Sequence, residues 1–250
     1  MSDGRGRVRV EATGKRVRVL FGGEYVADST DAKLVWEKPY YPTYYFPADD
    51  VRTDLLVATG DDERTPSRGT AGVHTVKAGD REAEGAALWY RKSEIDEITN
   101  HLRFQWHAMD AWFEEDEEVF VHPRDPYTRV DILQSSRHVR VEVDGVTVAN
   151  THQPRLLFET NLPTRYYIPK TDVRMDLLRP SDTHTHCPYK GQASYYDLVL
   201  EDTTYEDFVW WYPSPLLESV GIAGYVCFYN EKVDLYVDGE LQERPQTHFS

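Results

Sequence analysis

Along much of the chain apolar and polar residues alternate one for one, the period of a strand with one face on a core and the other in water. Val139, Val141 and Val143 alternate with Arg140, Glu142 and Asp144. Asp144-Gly145 then supplies a tight turn, because glycine tolerates positive φ, and Val146 and Val148 resume the alternation on a return strand. Val233, Leu235 and Val237 alternate in the same way with Asp234, Tyr236 and Asp238 before Gly239. Between Pro169 and Leu178 the pattern changes. Val173 and Leu177 lie four apart behind Pro169 and Asp172, a spacing that predicts a short helical turn with acidic residues at its start. The predicted fold class is mainly β with short helical segments.

The pattern occurs twice, with an offset of 122 residues. Gly23-Glu24-Tyr25-Val26-Ala27-Asp28 returns as Gly145-Val146-Thr147-Val148-Ala149-Asn150, and Tyr44-Tyr45-Phe46-Pro47 as Tyr166-Tyr167-Ile168-Pro169. Asp50 to Leu56 meets Asp172 to Leu178, and Ala87-Leu88-Trp89-Tyr90 meets Val209-Trp210-Trp211-Tyr212. One slip is read before the paired tyrosines, where Pro42-Thr43 runs straight into Tyr44-Tyr45 but Arg165 stands between Pro163-Thr164 and Tyr166-Tyr167. The predicted organisation is an N-terminal extension (1–14), a first β-rich repeat (15–120), a connector (121–136), a second repeat (137–240) and a tail (241–250). Met1 to Glu11 and Leu241 to Ser250 are expected to be mobile or loosely pinned. The acidic run Glu114 to Glu118 is expected to be solvated, and His122 to Tyr127 to run as a rigid connector over the surface between the halves.

Composition narrows the function classes. In 250 residues, 40% are apolar and 13% aromatic, including 17 Tyr and 6 Trp, enough packing surface for a folded chain. Asp and Glu number 43 against 28 Lys and Arg, and the formal charge of -15 opposes nucleic acid and anionic membranes as partners. No export signal opens the chain and no stretch nears the ~18 apolar residues of a membrane span, so the expected location is cytoplasmic. Two cysteines, Cys187 and Cys227, cannot make a disulfide framework or a four-thiolate zinc site, and no cofactor is expected.

The string His184-Thr185-His186-Cys187-Pro188-Tyr189-Lys190-Gly191 concentrates reactive side chains. Pro188 and Gly191 mark a turn, from which Cys187 and Lys190 can project together. A neighbouring positive charge drives a thiol toward thiolate, the nucleophilic form. Cys187 is the candidate nucleophile, with Lys190 as electrostatic partner and His184 or His186 as proton shuttle. A buried, inert thiol on a tight turn is the competing reading. A zinc site from His184, His186, Cys187 and Cys227 is a weaker one. At the repeat offset Thr65-Pro66-Ser67-Arg68-Gly69 stands opposite Cys187 to Gly191: proline, basic residue and glycine persist, and the thiol does not. The shared three therefore serve the fold or bind an anion or carbonyl.

Tyr195-Tyr196, Trp210-Trp211-Tyr212, Tyr225 and Phe228-Tyr229 follow the cysteine motif, and strand alternation turns about half of them inward. The candidate ligand-binding set is Tyr189, Tyr196, Trp211, Tyr212 and Arg174. Arg174-x-Asp176 also occurs as Arg52-x-Asp54, which favours a structural ion pair over an anion clamp.

These residues together resemble a tandem member of the domain of unknown function 427 family, which also carries a nucleotidyltransferase label. The resemblance runs from Arg16 to Glu240 and rests on Val143 to Ala149, Tyr167-Ile168-Pro169, Asp172 to Leu178, Cys187 to Gly191, Trp211-Tyr212 and Phe228 to Gly239. The segments Trp112 to Glu118, His122 to Pro126 and Ser135 to Val139 are similar to the connector of actinobacterial-type tandem members. The resemblance implies a module similar to the β-tent group, whose two sheets meet over a cleft that in relatives accepts small ligands, often beside zinc. The zinc-binding cysteines of those relatives are missing here. Nucleotidyl transfer would need clustered carboxylates and a phosphate-cradling glycine loop, whereas Gly22-Gly23 reads as a hairpin turn. The expectation is a small-molecule-binding protein, an enzyme if Cys187 is a nucleophile. A non-catalytic metabolite-binding module is the alternative, and self-association is left open.

Overall fold

A computed structural model describes residues 8–247 and 250. The chain divides into two units, Met1–Asp125 and Pro126–Ser250. The mobility expected for Met1 to Arg7, His248 and Phe249 concerns positions outside the described residues.

Each unit is a seven-stranded and a four-stranded antiparallel sheet. In the second unit the long sheet runs, in spatial order, Val130–Gln134, Arg155–Glu159, Arg165–Pro169, Tyr225–Phe228, Thr203–Trp211, Gly191–Leu200 and Leu178–Cys187. The short sheet runs Val146–Thr151, Val139–Val143, Asp234–Val237 and Glu240–Leu241. The first unit repeats both orders, with Arg9–Ala12 in the place of Val130–Gln134. The mainly β expectation holds, and so do its turns. Val143 pairs with Val146 across Asp144-Gly145, both at positive φ (49° and 78°), the geometry that matches the twist of the flanking strands.

Alternation sorts the side chains. Val139, Val141 and Val143 of the short sheet close on Leu198, Val209 and Val226 of the long sheet, forming the inter-sheet core. The other face of the long sheet carries a second cluster with Leu157, Tyr167, Ala193, Tyr195, Trp210, Tyr212 and Cys227. Neighbouring residues of one strand thus belong to different cores, and the first unit divides in the same way.

Several boundaries differ from those expected. The segment after Pro169 forms two 3-10 turns, Lys170–Asp172 and Met175–Leu177, with Val173 bridging to Ala149 between them. Arg165 is no insertion: Val35 pairs with Thr43 as Leu157 pairs with Arg165, so the offset of 122 is unbroken and Arg165 is the counterpart of Thr43. Farther on the offset grows to 124, since Phe46 pairs with Leu102 and Ile168 with Val226. Arg9–Ala12 and Val130–Gln134, expected in the extension and the connector, are edge strands of their sheets. Asp125 packs within the first unit and accepts a hydrogen bond from Trp36 Nε1 at 3.1 Å. Glu114 is buried rather than solvated, holding the Tyr44 hydroxyl and Lys15 Nζ, the latter at 2.7 Å. Among the described residues no helix is long and apolar enough to cross a membrane.

Leu198, fully buried between the sheets, is expected to cost about 2–5 kcal/mol when truncated to Ala. Exposed Leu217→Ala should stay within about 0.5 kcal/mol of the parent. Urea unfolding of the two variants checks both values.

Candidate functional site

Leu178–Cys187 and Gly191–Leu200 form a hairpin closed by Pro188, Tyr189 and Lys190, with Cys187 paired to Gly191. Gly191 has φ +97°, and a Cβ there would meet the Ser214 carbonyl oxygen at 3.3 Å, so both conformation and space require glycine. Because Cys187 still belongs to the strand, alternation governs the reactive string. Thr185 and Cys187 share the face of their partners' neighbour Tyr195, and Thr185 Oγ1 lies 2.8 Å from the Tyr195 hydroxyl. His184 and His186 pair with Ser194 and Gln192 and take the opposite face. His184 Nδ1 donates to the Thr183 carbonyl at 2.6 Å. The two histidines therefore do not join the sulfur as proton shuttles or as zinc ligands. Among the described residues no three His, Cys, Asp or Glu side chains gather into a metal-holding group.

Lys190 does join it. The lysine is buried, its Nζ stands 2.5 Å from Glu159 Oε2, and Cys187 is close enough to act on its charge. Burial acts to lower this ammonium, but the Cys187 and Glu159 contacts outweigh it and hold the group above its ordinary 10.5. Tyr212 lies in the same cluster, its phenol pushed up by burial first and by Cys187 next. Tyr189, half-buried at the turn, accepts the Ser219 hydroxyl on its carbonyl at 3.1 Å. Cys227 is fully buried and burial pushes its thiol up.

The other predicted ligand residues lie elsewhere. Tyr196 and Trp211 pack against the inter-sheet core, on the opposite face from Tyr195 and Tyr212. They stack at 5.7 Å, with Lys170 Nζ 3.1 Å from the Trp211 ring centroid and 3.2 Å from the Tyr196 hydroxyl. The first repeat has a similar feature, Arg91 over Trp89 at 3.6 Å, beside an open cavity of about 440 Å³ that also includes His74. Arg174 makes a two-point pair with Asp176 at 2.9 and 2.6 Å, as Arg52 does with Asp54, and both are exposed.

Glu159 is the member that reading the sequence missed, though the repeat offset could have found it by setting Glu37 opposite Glu159 as Arg68 is set opposite Lys190. In the first repeat the Glu37 carboxylate accepts the Tyr45 hydroxyl at 2.7 Å and pairs with Arg68 at 3.2 Å and Arg103 at 3.3 Å. The basic residue shared by both turns thus answers a carboxylate of its own repeat. Next to Glu37 lies a cavity of about 330 Å³ bounded by Tyr41, Tyr44, Arg103, Trp106, Trp112 and His122.

The family model described as Domain of unknown function (DUF427) matches residues 9–115 and 131–239. The chain belongs to the DUF427 family. Its two matched segments are the two sheet-built repeats, and each match takes in or borders the outer edge strand that the sequence pattern left out. No curated protein matches this DUF427 tandem.

The buried pair makes a stability prediction. Glu159→Leu leaves the Lys190 ammonium without its carboxylate and should cost about 3–5 kcal/mol, whereas Glu159→Leu combined with Lys190→Met should cost less than the single change. Chemical denaturation at neutral pH decides between these, and a double variant as unstable as the single one would contradict the pairing.

Proposed function

We propose that this DUF427 tandem is a small-molecule-binding protein whose second repeat uses Cys187 as a nucleophile toward an electrophilic carbon. The observation that carries this reading is the buried Lys190 at the tip of the hairpin whose strand ends at Cys187, with its charge secured by Glu159. An ammonium at this place stabilises negative charge that develops on a ligand oxygen. Addition to an aldehyde needs no further reactant: the S–C bond forms, the carbonyl π bond opens, and the thiol proton ends on the former carbonyl oxygen. With His184 and His186 on the other face, Lys190 is the group at hand to move that proton.

A non-catalytic binding module draws support from the same burial of Lys190 and from its engagement by Glu159. Nucleotidyl transfer draws none from Gly22-Gly23. That pair is the turn between Val17–Phe21 and Glu24–Ser29, and a Cβ on Gly22 would lie 2.5 Å from the Ala78 carbonyl oxygen, so the space a phosphate would need is filled by backbone.

Alkylation by iodoacetamide followed by peptide mass spectrometry separates these readings. Cys187, half-buried, should react in the folded protein while buried Cys227 does not. Lys190→Arg, the residue the first repeat uses, should keep most of the rate. Lys190→Met with Glu159→Gln should slow it roughly tenfold. A Cys187 that resists alkylation, or a rate indifferent to the charge at 190, would favour the binding module.

A further inference from the structure

We propose that the first repeat holds a second, separate site that takes a planar aromatic carboxylate. The site is the cavity of about 330 Å³ beside Glu37, at the small end of the range for ligand pockets and suited to a molecule of one or two rings. Its walls are flat. Trp106 stacks on Trp112 at 4.5 Å and 4°, and Tyr41 stacks on His122 at 4.1 Å and 8°. Burial lowers His122 below its usual 6.5, so at neutral pH the ring adds an aromatic face and no charge.

The charge in the wall comes from Arg103. A guanidinium has five N–H donors in a planar fork, yet the acceptors nearest to this one are Glu37 Oε1, 3.3 Å from Nε, and Glu63 Oε1, 3.5 Å from Nη2. Nε is buried and makes no hydrogen bond among the described residues. Both carboxylate contacts are long for charge-assisted bonds, which leaves the guanidinium with donor capacity for a further acceptor. Glu37 cannot serve as a receptor for a cation, because it is already committed to Tyr45, Arg68 and Arg103. Of the charged side chains that line the cavity, Lys38 and Arg103 stand against Glu37. A ring to lie on indole and a carboxylate to meet the fork satisfy both halves of the cavity.

The second repeat is the internal control. Thr43 lines the cavity, and its register counterpart Arg165 is clamped on Glu231 by two bonds of 2.7 Å, with both side chains buried. Tyr167 pairs with Cys227 where the offset sets Tyr45 beside Arg103, so the second repeat has a thiol where the first has its fork. It spends its guanidinium internally, and the site belongs to the first repeat alone.

Isothermal titration of the full chain with 2-naphthoate tests this, with 2-naphthylmethylammonium and cyclohexanecarboxylate as the wrong charge and the wrong shape. Naphthoate should bind at least about tenfold more tightly than either. Arg103→Lys keeps the charge opposite Glu37 but loses the fork, and should weaken naphthoate about tenfold. Thr43→Arg should abolish binding by filling the cavity. Circular dichroism establishes that each variant is folded, and the three-ligand comparison on the parent stands without them. Absence of heat at millimolar naphthoate would overturn the proposal. So would equal affinity for the ammonium probe, or a folded Thr43→Arg that binds as the parent does. Nothing in this test depends on Cys187.

Discussion

Glu37 and Glu159 each sit at the end of a strand against an aromatic cluster, where a carboxylate stripped of water and left unpaired costs several kcal/mol. A cation must reach it, and in both repeats that cation comes from the tip of the long hairpin, Arg68 or Lys190. The tip can deliver it because a glycine follows at positive φ, Gly69 at +87° and Gly191 at +97°. The recurrence of a basic residue before glycine is thus explained by a carboxylate inside the same repeat. The Lys190 pair stabilises fully below pH 10.5, where the ammonium is charged in both folded and unfolded chains, and its contribution is lost as pH rises through the raised folded value.

Around that shared pair the two repeats diverge by exchanging which strand carries the remaining charge. The first repeat places Arg103 against Glu37 and keeps Thr43 small, which leaves a cavity with aromatic walls. The second places Arg165 at the position of Thr43, satisfies it with Glu231 and sets Cys187 beside Lys190. One scaffold therefore offers a ring-lined hollow with a guanidinium in one copy and a thiol with an ammonium in the other.

Much of the fold was legible because period two, Asx-Gly turns and an offset of 122 are written in local sequence. The site was less so, and Cys187 shows why. Proline and glycine predict a turn from which Cys187 and Lys190 project together, but the strand continues through Cys187, and pleating sends His184 and His186 away from the sulfur. The same pleating divides Tyr196 and Trp211 from Tyr195 and Tyr212. Glu159 and Glu114 look like surface acids in sequence, since only the folded register brings Lys190 and Tyr44 to them. Arg9–Ala12 and Val130–Gln134 are too short for their alternation to stand out from the segments around them.

The most direct measurement is the titration of the Lys190 ammonium by nitrogen-detected NMR in selectively labelled protein. A midpoint above 10.5 in the native chain, lowered when Glu159 is replaced by Gln, is the expected result. A native midpoint at or below 10.5, or one unmoved by the Glu159 change, would mean that burial outweighs Cys187 and the carboxylate, and would contradict the pairing from which both sites are argued.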